Sequence, residues 1–327
     1  MAKIRIGTFN IENLFARFTF RKVRARGPDG KYLKTPEGKY VYRDLNDEEL
    51  RELVKDGWAA DKRKFHSFEK NARDITAKAL KGIKADVLGL QEVESMDTLK
   101  RFVSEHLKRK GYKYKIVIDG NDPRLIDVAL LSKHPFDYVR TYQFIRTKNN
   151  KSFLFSRDCL EVGVRISKNK VLPVFVNHFK SLMGGRAETM GRRRLQSEKV
   201  VEILKERFGN NPGDKEWVVL GDLNDYLPST GLEPLLGQPW LENVVDRMPE
   251  ANDRWTHYYK GKKQYKQLDY ILLPKKLADA NPGSIPEIER RGLPERATKY
   301  SGPRFSGVGK DEPKASDHCP LVIELSI

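Results

Sequence analysis

Six short blocks of this 327-residue chain carry side chains able to hold a divalent cation or a phosphate, each at the edge of an apolar run or inside one. TFNIEN presents Asn10 and Glu12, LGLQEVE presents Glu92, FVNHFKS presents His178 and Lys180, and VVLGDLND presents Asp222 and Asn224. Asp317 and His318 stand just before LVIEL, and Asp269 lies within QLDYILLP. Carboxylate and amide oxygens are hard ligands, and Mg2+ is usually held by one or two carboxylates together with water and substrate phosphate. Histidines among such groups add proton transfer and phosphate contacts. Each block alone has a plain alternative. A Gly-Asp-x-Asn stretch is an ordinary loop, and Gln-Glu after a strand is a capped turn. It is the recurrence of the pattern that points to phosphate chemistry.

Elements that bring these blocks together can be read from hydrophobic period. Lys3–Phe9 alternates as a strand. Further strands are expected at Asp86–Leu90, Tyr114–Ile118, Asp127–Leu131, Leu160–Ile166, Leu172–His178, Trp217–Leu220, Leu268–Leu272 and Leu321–Leu325. Helical spacing covers Phe68–Ile83, Met96–Lys110 and Gly191–Phe208. Pro28-Asp29-Gly30 and Pro36-Glu37-Gly38 are turn signals flanking short Tyr/Val runs, which reads as a basic β-hairpin opening an insertion over about 21–66. Asn46 before Asp47-Glu48-Glu49 looks like a helix N-cap in the same insertion. Residues 281–315, rich in Pro, Gly, Lys and Arg, are expected to form a long surface loop, with a short helical turn as an option. Strands alternating with helices and hairpins, without repeats, predict a layered α/β protein with mixed sheets. With nothing else resembling a linker, a single domain over 1–327 is expected.

Lys and Arg number 62 against 45 Asp and Glu, a formal net charge of +17. That balance favours a polyanionic partner, nucleic acid first and an anionic membrane surface second, though basic proteins also exist without either. Cys159 and Cys319 are the only cysteines, too few for a disulfide framework or a zinc cluster, and read as small core residues. No apolar stretch approaches the ~20 residues of a membrane span, and MAKIRIGTFN lacks the apolar segment of a signal peptide. As it stands the chain reads as cytoplasmic; a leader removed beforehand would make it a secreted protein.

In this order the blocks resemble the endonuclease/exonuclease/phosphatase superfamily, which includes DNase I, abasic-site endonucleases, deadenylases, neutral sphingomyelinases and inositol polyphosphate 5-phosphatases. The resemblance reaches both ends of the chain and implies a four-layered α/β sandwich, two mixed β-sheets packed face to face with helices outside. It implies Mg2+ or Mn2+ as cofactor, with Ca2+ as a structural or auxiliary ion, held by Glu92 and Asn10 with help from Asp222, Asn224 and Asp317. Asp222 and Asn224 resemble the pair that positions the attacking water and the scissile phosphate. His318 resembles the terminal histidine on the phosphate, with Asp269 orienting it. His178 resembles the second histidine of DNase I-like enzymes, with Asp127 placed to orient it or to serve as an ordinary structural carboxylate.

Basic residues near the blocks are candidate phosphate contacts: Arg124, Lys180, Arg186, Arg192, Arg193 and Arg194. The last three open a helix, whose N-terminus favours anions; alternatively they form a solvated face paired with Glu188 and Glu198. His257 in RWTHYY is a core residue or, with its aromatic neighbours, a stacking surface for a base. His66, His106 and His134 have no expected role.

Phe9 and QEVE stand where abasic-site endonucleases carry a tryptophan and a QETK-like block, and QLDYILLP stands where inositol polyphosphate phosphatases carry a WCDR-type block. The closest motif match is with bacterial and archaeal DNase I-like nucleases. The resemblance therefore implies a monomeric, metal-dependent endonuclease or exonuclease acting on DNA, with RNA also open, and with little sequence specificity. The competing reading is a sphingomyelinase-like or phosphoinositide phosphodiesterase or phosphatase.

Overall fold

The computed structural model describes residues 2–14, 23–43 and 70–327. Contacts group the chain into two units, residues 1–15 with 70–327 and residues 16–69.

The larger unit is built on two six-stranded mixed sheets. The first runs, edge to edge, β15 (Glu287–Ile288), β16 (Leu321–Ser326), β1 (Lys3–Leu14), β4 (Val87–Val93), β6 (Asp127–Ser132) and β5 (Tyr114–Val117). The second runs β11 (Leu241–Asn243), β14 (Asp269–Pro274), β10 (Val218–Asp222), β9 (Lys170–His178), β8 (Cys159–Ser167) and β7 (Phe136–Arg140). β1 with β4 and β9 with β10 are parallel, and the remaining pairs are antiparallel.

Alternation along the strands makes the layers. Val174 and Val176 of β9, Val218 and Leu220 of β10, and Ile271 and Leu273 of β14 share one core with Ile4, Ile6, Val87, Val128 and Leu130 of the facing sheet. The intervening Phe175, Val219, Tyr270 and Leu272 turn outward and pack with Val200, Ile203 and Leu204 of helix α3 (Arg186–Phe208). On the other outer face, a Cβ added to Gly7 of β1 would touch Leu88 and Ile83, the last residue of α1 (Lys70–Ile83). A second helix, α2 (Met96–His106), follows β4. The product is the expected four-layered α/β sandwich. Gly89 is needed at its centre, because a Cβ there would stand 2.2 Å from Leu220 of the opposite sheet.

Several boundaries depart from expectation. α3 starts at Arg186 rather than Gly191, because Gly185, at φ 109°, turns the chain into the helix one turn and more earlier. α2 ends at His106 with Leu107 as its cap, short of Lys110. Residues 281–315 hold the short strand β15 and no helical turn. They are more than a surface loop, since Leu293 and Ala297 are buried with Trp255, Tyr258 and Cys319. The hairpin of β12 (His257–Tyr259) and β13 (Gln264–Lys266) carries too few apolar residues to show in the periodicity. Cys159 and Cys319 are buried and free.

In the smaller unit the described residues form three short extended segments, each paired with the other two. β2 (Val23–Arg24) pairs with β3 (Tyr42–Arg43), and bridges join Arg26 to Tyr32 and Lys34 to Tyr40 across the two expected Pro-x-Gly turns. The expected N-cap at Asn46, together with Arg21 and His66, lies outside the described residues. No helix among the described residues is long and apolar enough to cross a membrane.

Candidate active site

Strand register assembles half of the site. His178, Asp222 and Asp269 are direct neighbours across β9, β10 and β14. Gly221 makes this close approach possible, with φ 138° and no room for a Cβ against the Asn177 carbonyl. His178 Nε2 lies 3.5 Å from Asp222 Oδ2. His318 Nδ1 lies 2.9 Å from Asp269 Oδ2, the oxygen that also accepts from Thr256 Oγ1 at 2.6 Å, and His318 Nε2 lies 3.9 Å from Asp222 Oδ2. Asn224 folds back on Asp222, donating from Nδ2 to Oδ2 at 3.0 Å.

The facing sheet supplies the rest. Asn10 Nδ2 reaches Asp222 Oδ2 at 3.0 Å and Glu92 Oε1 at 3.5 Å. Glu92 sits at a register shift in β4 with φ 65°, and Glu12 at one in β1 with φ 47°. Such bulges re-aim side chains near functional sites, and a left-handed glutamate is costly enough to require support from its surroundings. Glu12 Oε2 accepts from the Asp317 backbone N–H at 2.9 Å and its Oε1 pairs with Lys314 at 2.9 Å. Asp317 lies 3.6 Å from His257 Nε2 and 4.0 Å from His318 Nε2, and the two imidazole rings lie against each other, tilted by 54° with centroids 4.5 Å apart.

The two histidines of the site are driven to different charge states, His178 to the neutral form and His318 to the cation. Burial, together with the nearby Arg157 and His318, holds the His178 pKa well below its usual range. Burial acts the same way on His318, but Asp269, Asp222 and Asp317 outweigh it and hold the imidazolium well above that range. Asp317 is held low by His257 and His318 despite burial.

The donor set suits a hard cation. Burial, with Asp269 adding to it, pushes Asp222 up to about 7, and burial likewise raises Glu92. Buried carboxylates whose pKa stays raised beside an imidazolium gain from further positive charge, which a divalent cation would supply. Asp222, Asp269 and His318 place ligand atoms within 4.8 Å of one another, as do His257, Asp317 and His318. Asn10 turns Nδ2 toward the carboxylates while its Oδ1 accepts from the Glu12 N–H. A ligand role for Asn10 therefore needs the amide turned over.

Not every expected residue joins this cluster. Asp127 does not orient His178: its Oδ1 accepts from the Gly120 N–H at 2.9 Å, while its buried Oδ2 and the buried His178 Nδ1 both have no hydrogen-bond partner among the described residues. The arginines opening α3 do not form a phosphate-binding face. Arg193 is fully buried and pairs with Asp225 at 3.1 Å, while Arg186 holds the other oxygen of Asp225 at 2.6 Å. Arg192 is bound to Ser152 and the Phe153 carbonyl. Arg194 pairs with Glu198 at 3.1 Å and donates to the Thr230 carbonyl. Arg186, Arg193 and Arg194 fasten α3 to the loop after β10 and Arg192 fastens it to the segment before β8, and the alternative pairing with Glu198 holds for Arg194.

Arg124 and Lys180 do stand beside the site. Arg124 pairs with Asp122 at 3.1 Å and feels Glu92. Burial, then Arg157 and Arg124, lower the Lys180 pKa.

Sequence reasoning missed Arg157, which is 2% exposed. Its Nη1 pairs with Asp122 at 3.3 Å, and its Nη2 lies 3.2 Å from His178 Nε2 and 3.0 Å from the Phe179 carbonyl. As an obligate donor it makes Nε2 an acceptor, which puts the His178 proton on Nδ1. An Arg in FSRDC carries no signal of such burial. Lys314 and Glu12 were likewise unassigned, although Glu12 stands in the same block as Asn10.

The chain belongs to the Endonuclease/Exonuclease/phosphatase family, which it matches over residues 6–326. This is a family of hydrolytic, divalent-metal-dependent phosphodiesterases and phosphatases. Truncated TDP2 of Caenorhabditis elegans superposes with a TM-score of 0.57 at 14% identity, over 99% of this chain and 98% of that one. A beta toxin structure from Staphylococcus aureus gives 0.58 at 15% identity over 98% and 99%. A family protein from Bacteroides thetaiotaomicron gives 0.58 at 14% over 99% and 97%. At such identities the likeness is one of fold, the DNase I-like sandwich. No curated protein matches the chain in sequence.

Proposed function

We propose that this chain is a Mg2+- or Mn2+-dependent phosphodiesterase that hydrolyses DNA, and RNA as a second substrate, with little sequence preference. The observation that carries the reading is the meeting of Glu92, Asp222, Asp269 and Asp317 with two histidines, one neutral and one cationic, at one end of the sandwich, beside the cations Arg124 and Arg157. Glu92, Asp222 and Asp317 would hold a divalent cation, which would supply positive charge to neutralise the phosphate and stabilise the leaving oxygen. Asp222 and Asn224 orient the attacking water. The His318 imidazolium, fixed by Asp269, donates to a phosphate oxygen, and His178 with Arg157 closes the opposite side. A net charge of +17 favours a polyanion as substrate.

Hydrolysis of supercoiled plasmid, single-stranded DNA, RNA and sphingomyelin or phosphoinositide liposomes, each with Mg2+, Mn2+ or EDTA, tests the reading. Metal-dependent cleavage of the nucleic acids is expected. Liposome hydrolysis without nucleic-acid cleavage overturns it in favour of a lipid phosphodiesterase.

A further inference from the structure

The β12–β13 hairpin has no part in the reaction as described, yet it is fastened directly to His318. A bridge joins His257 to His318, the Tyr258 N–H donates to the Asp317 carbonyl at 2.9 Å, and the Cys319 N–H donates to the Thr256 carbonyl at 2.6 Å. Whatever the hairpin presents is therefore held at a fixed place beside the reacting groups.

Its two faces differ. Tyr258, 2% exposed, stacks on Tyr265, and Tyr265 in turn meets Trp255 edge-on, so this face is core. By alternation the other face carries His257 opposite Lys266 and Tyr259 opposite Gln264, with Lys262 in the connecting turn. These side chains line one wall of a cleft of about 510 Å3 that ends at Asp317 and His318.

Tyr259 is 50% exposed. A Cβ on Gly261 would come within 2.9 Å of its ring, so the absence of a side chain there lets the ring rest on the turn. Tyr226, across the cleft, is already covered by Arg186 and Lys266 at 3.9 and 4.3 Å from its ring centroid. Tyr259 thus offers a supported aromatic face next to a lysine, at the mouth of a site for phosphodiesters. An exposed aromatic ring with an adjacent cation suits a nucleobase attached to a phosphate, and stacking is sequence-tolerant because every base has a π-face.

We infer that this hairpin face is a nucleotide subsite, in which Tyr259 stacks on the unpaired base flanking the scissile phosphate and Lys262 contacts the next phosphate. The inference rests on the phosphodiesterase reading above and narrows it. A base stacked on Tyr259 is not stacked in a duplex, so single-stranded segments and frayed ends are the preferred substrate.

Fluorescence anisotropy in Ca2+ tests this with two labelled probes, a mixed-sequence single-stranded 12-mer and a 12-mer of abasic sugar-phosphates. Tyr259→Ala is expected to weaken binding of the first about tenfold, in line with stacking on one base, and to leave the second unchanged. Tyr259→Trp is expected to bind both as the wild type does. Lys262→Ala is expected to weaken both probes equally. Circular dichroism of each variant separates a lost contact from a lost fold, and half-exposed Tyr259 tolerates truncation. Equal loss on both probes for Tyr259→Ala, or no loss on either, overturns the subsite. If the wild type cleaves nucleic acid, that failure leaves the phosphodiesterase reading standing; a wild type that neither binds the probes nor cleaves nucleic acid sinks both.

Discussion

His178 and Asp222 end neighbouring parallel strands in register, with Nε2 3.5 Å from Oδ2. The same Asp222 oxygen lies 3.9 Å from His318 Nε2, so one buried carboxylate stands between a neutral imidazole and an imidazolium. That relationship distinguishes these two histidines from the rest.

His178→Ala and His318→Ala are each expected to slow the chemical step by ~10²-fold, whereas His134→Ala stays close to wild type. Single-turnover cleavage of a plasmid reads the pattern. Equal effects at all three positions, or none at His178, would show that the paired-imidazole arrangement takes no part in hydrolysis.

Glu92→Gln is expected to remove nearly all hydrolysis, by roughly a thousandfold, because cation charge stabilises the transition state by several kcal/mol. The far-ultraviolet spectrum and DNA binding in Ca2+ should be retained, since glutamine keeps the size of the side chain at its bulge. A variant holding a third of the wild-type rate at low Mg2+ would take Glu92 out of the site.

Sequence made some of this legible and hid the rest for physical reasons. Asp222, Asp269 and His178 stand at the ends of apolar strands whose alternation is local, and local patterns survive without knowledge of partners. β12 and β13 do not announce themselves, because their outward face is polar and their inward face is only Tyr258 and Tyr265. Glu92 was visible as a residue type, but its left-handed φ depends on a bulge that no spacing encodes. Arg157 and Arg193 are the hardest cases. An arginine reads as a surface residue unless the carboxylate that receives it is known, and Asp122 and Asp225 lie 35 and 32 residues away in sequence.

The burial of Arg193 has a stability consequence. Arg193→Ala leaves Asp225 in a buried position with one partner fewer, and breaking such a pair typically costs about 3 kcal/mol. Arg194→Ala removes a half-exposed pair with Glu198 and is expected to cost less than about 1 kcal/mol. Urea denaturation of the two variants checks the contrast. Equal, small losses would mean that Arg193 does not fasten α3 to the loop holding Asp225.

Asp127 allows a test of pH dependence away from the groups assigned to the metal. Burial pushes its pKa up from 3.8 to about 6, against the single hydrogen bond from the Gly120 N–H, with Asp119 and Asp122 adding to the rise. Between those two values the folded chain keeps a proton that the unfolded chain releases, so this group's contribution to stability is full below about pH 4 and is lost as pH rises through about 6. Asparagine does not titrate and preserves an acceptor for the Gly120 N–H. The stability of Asp127→Asn relative to wild type should therefore climb with pH across that window. The full shift would correspond to roughly 3 kcal/mol; screening by water near the strand end brings the expected climb to about 1 kcal/mol. Any constant cost of the new amide cancels, because only the change between pH 4 and pH 7 is read. Urea denaturation of both proteins at intervals across that range decides the matter, and parallel curves would show that folding does not raise the Asp127 pKa.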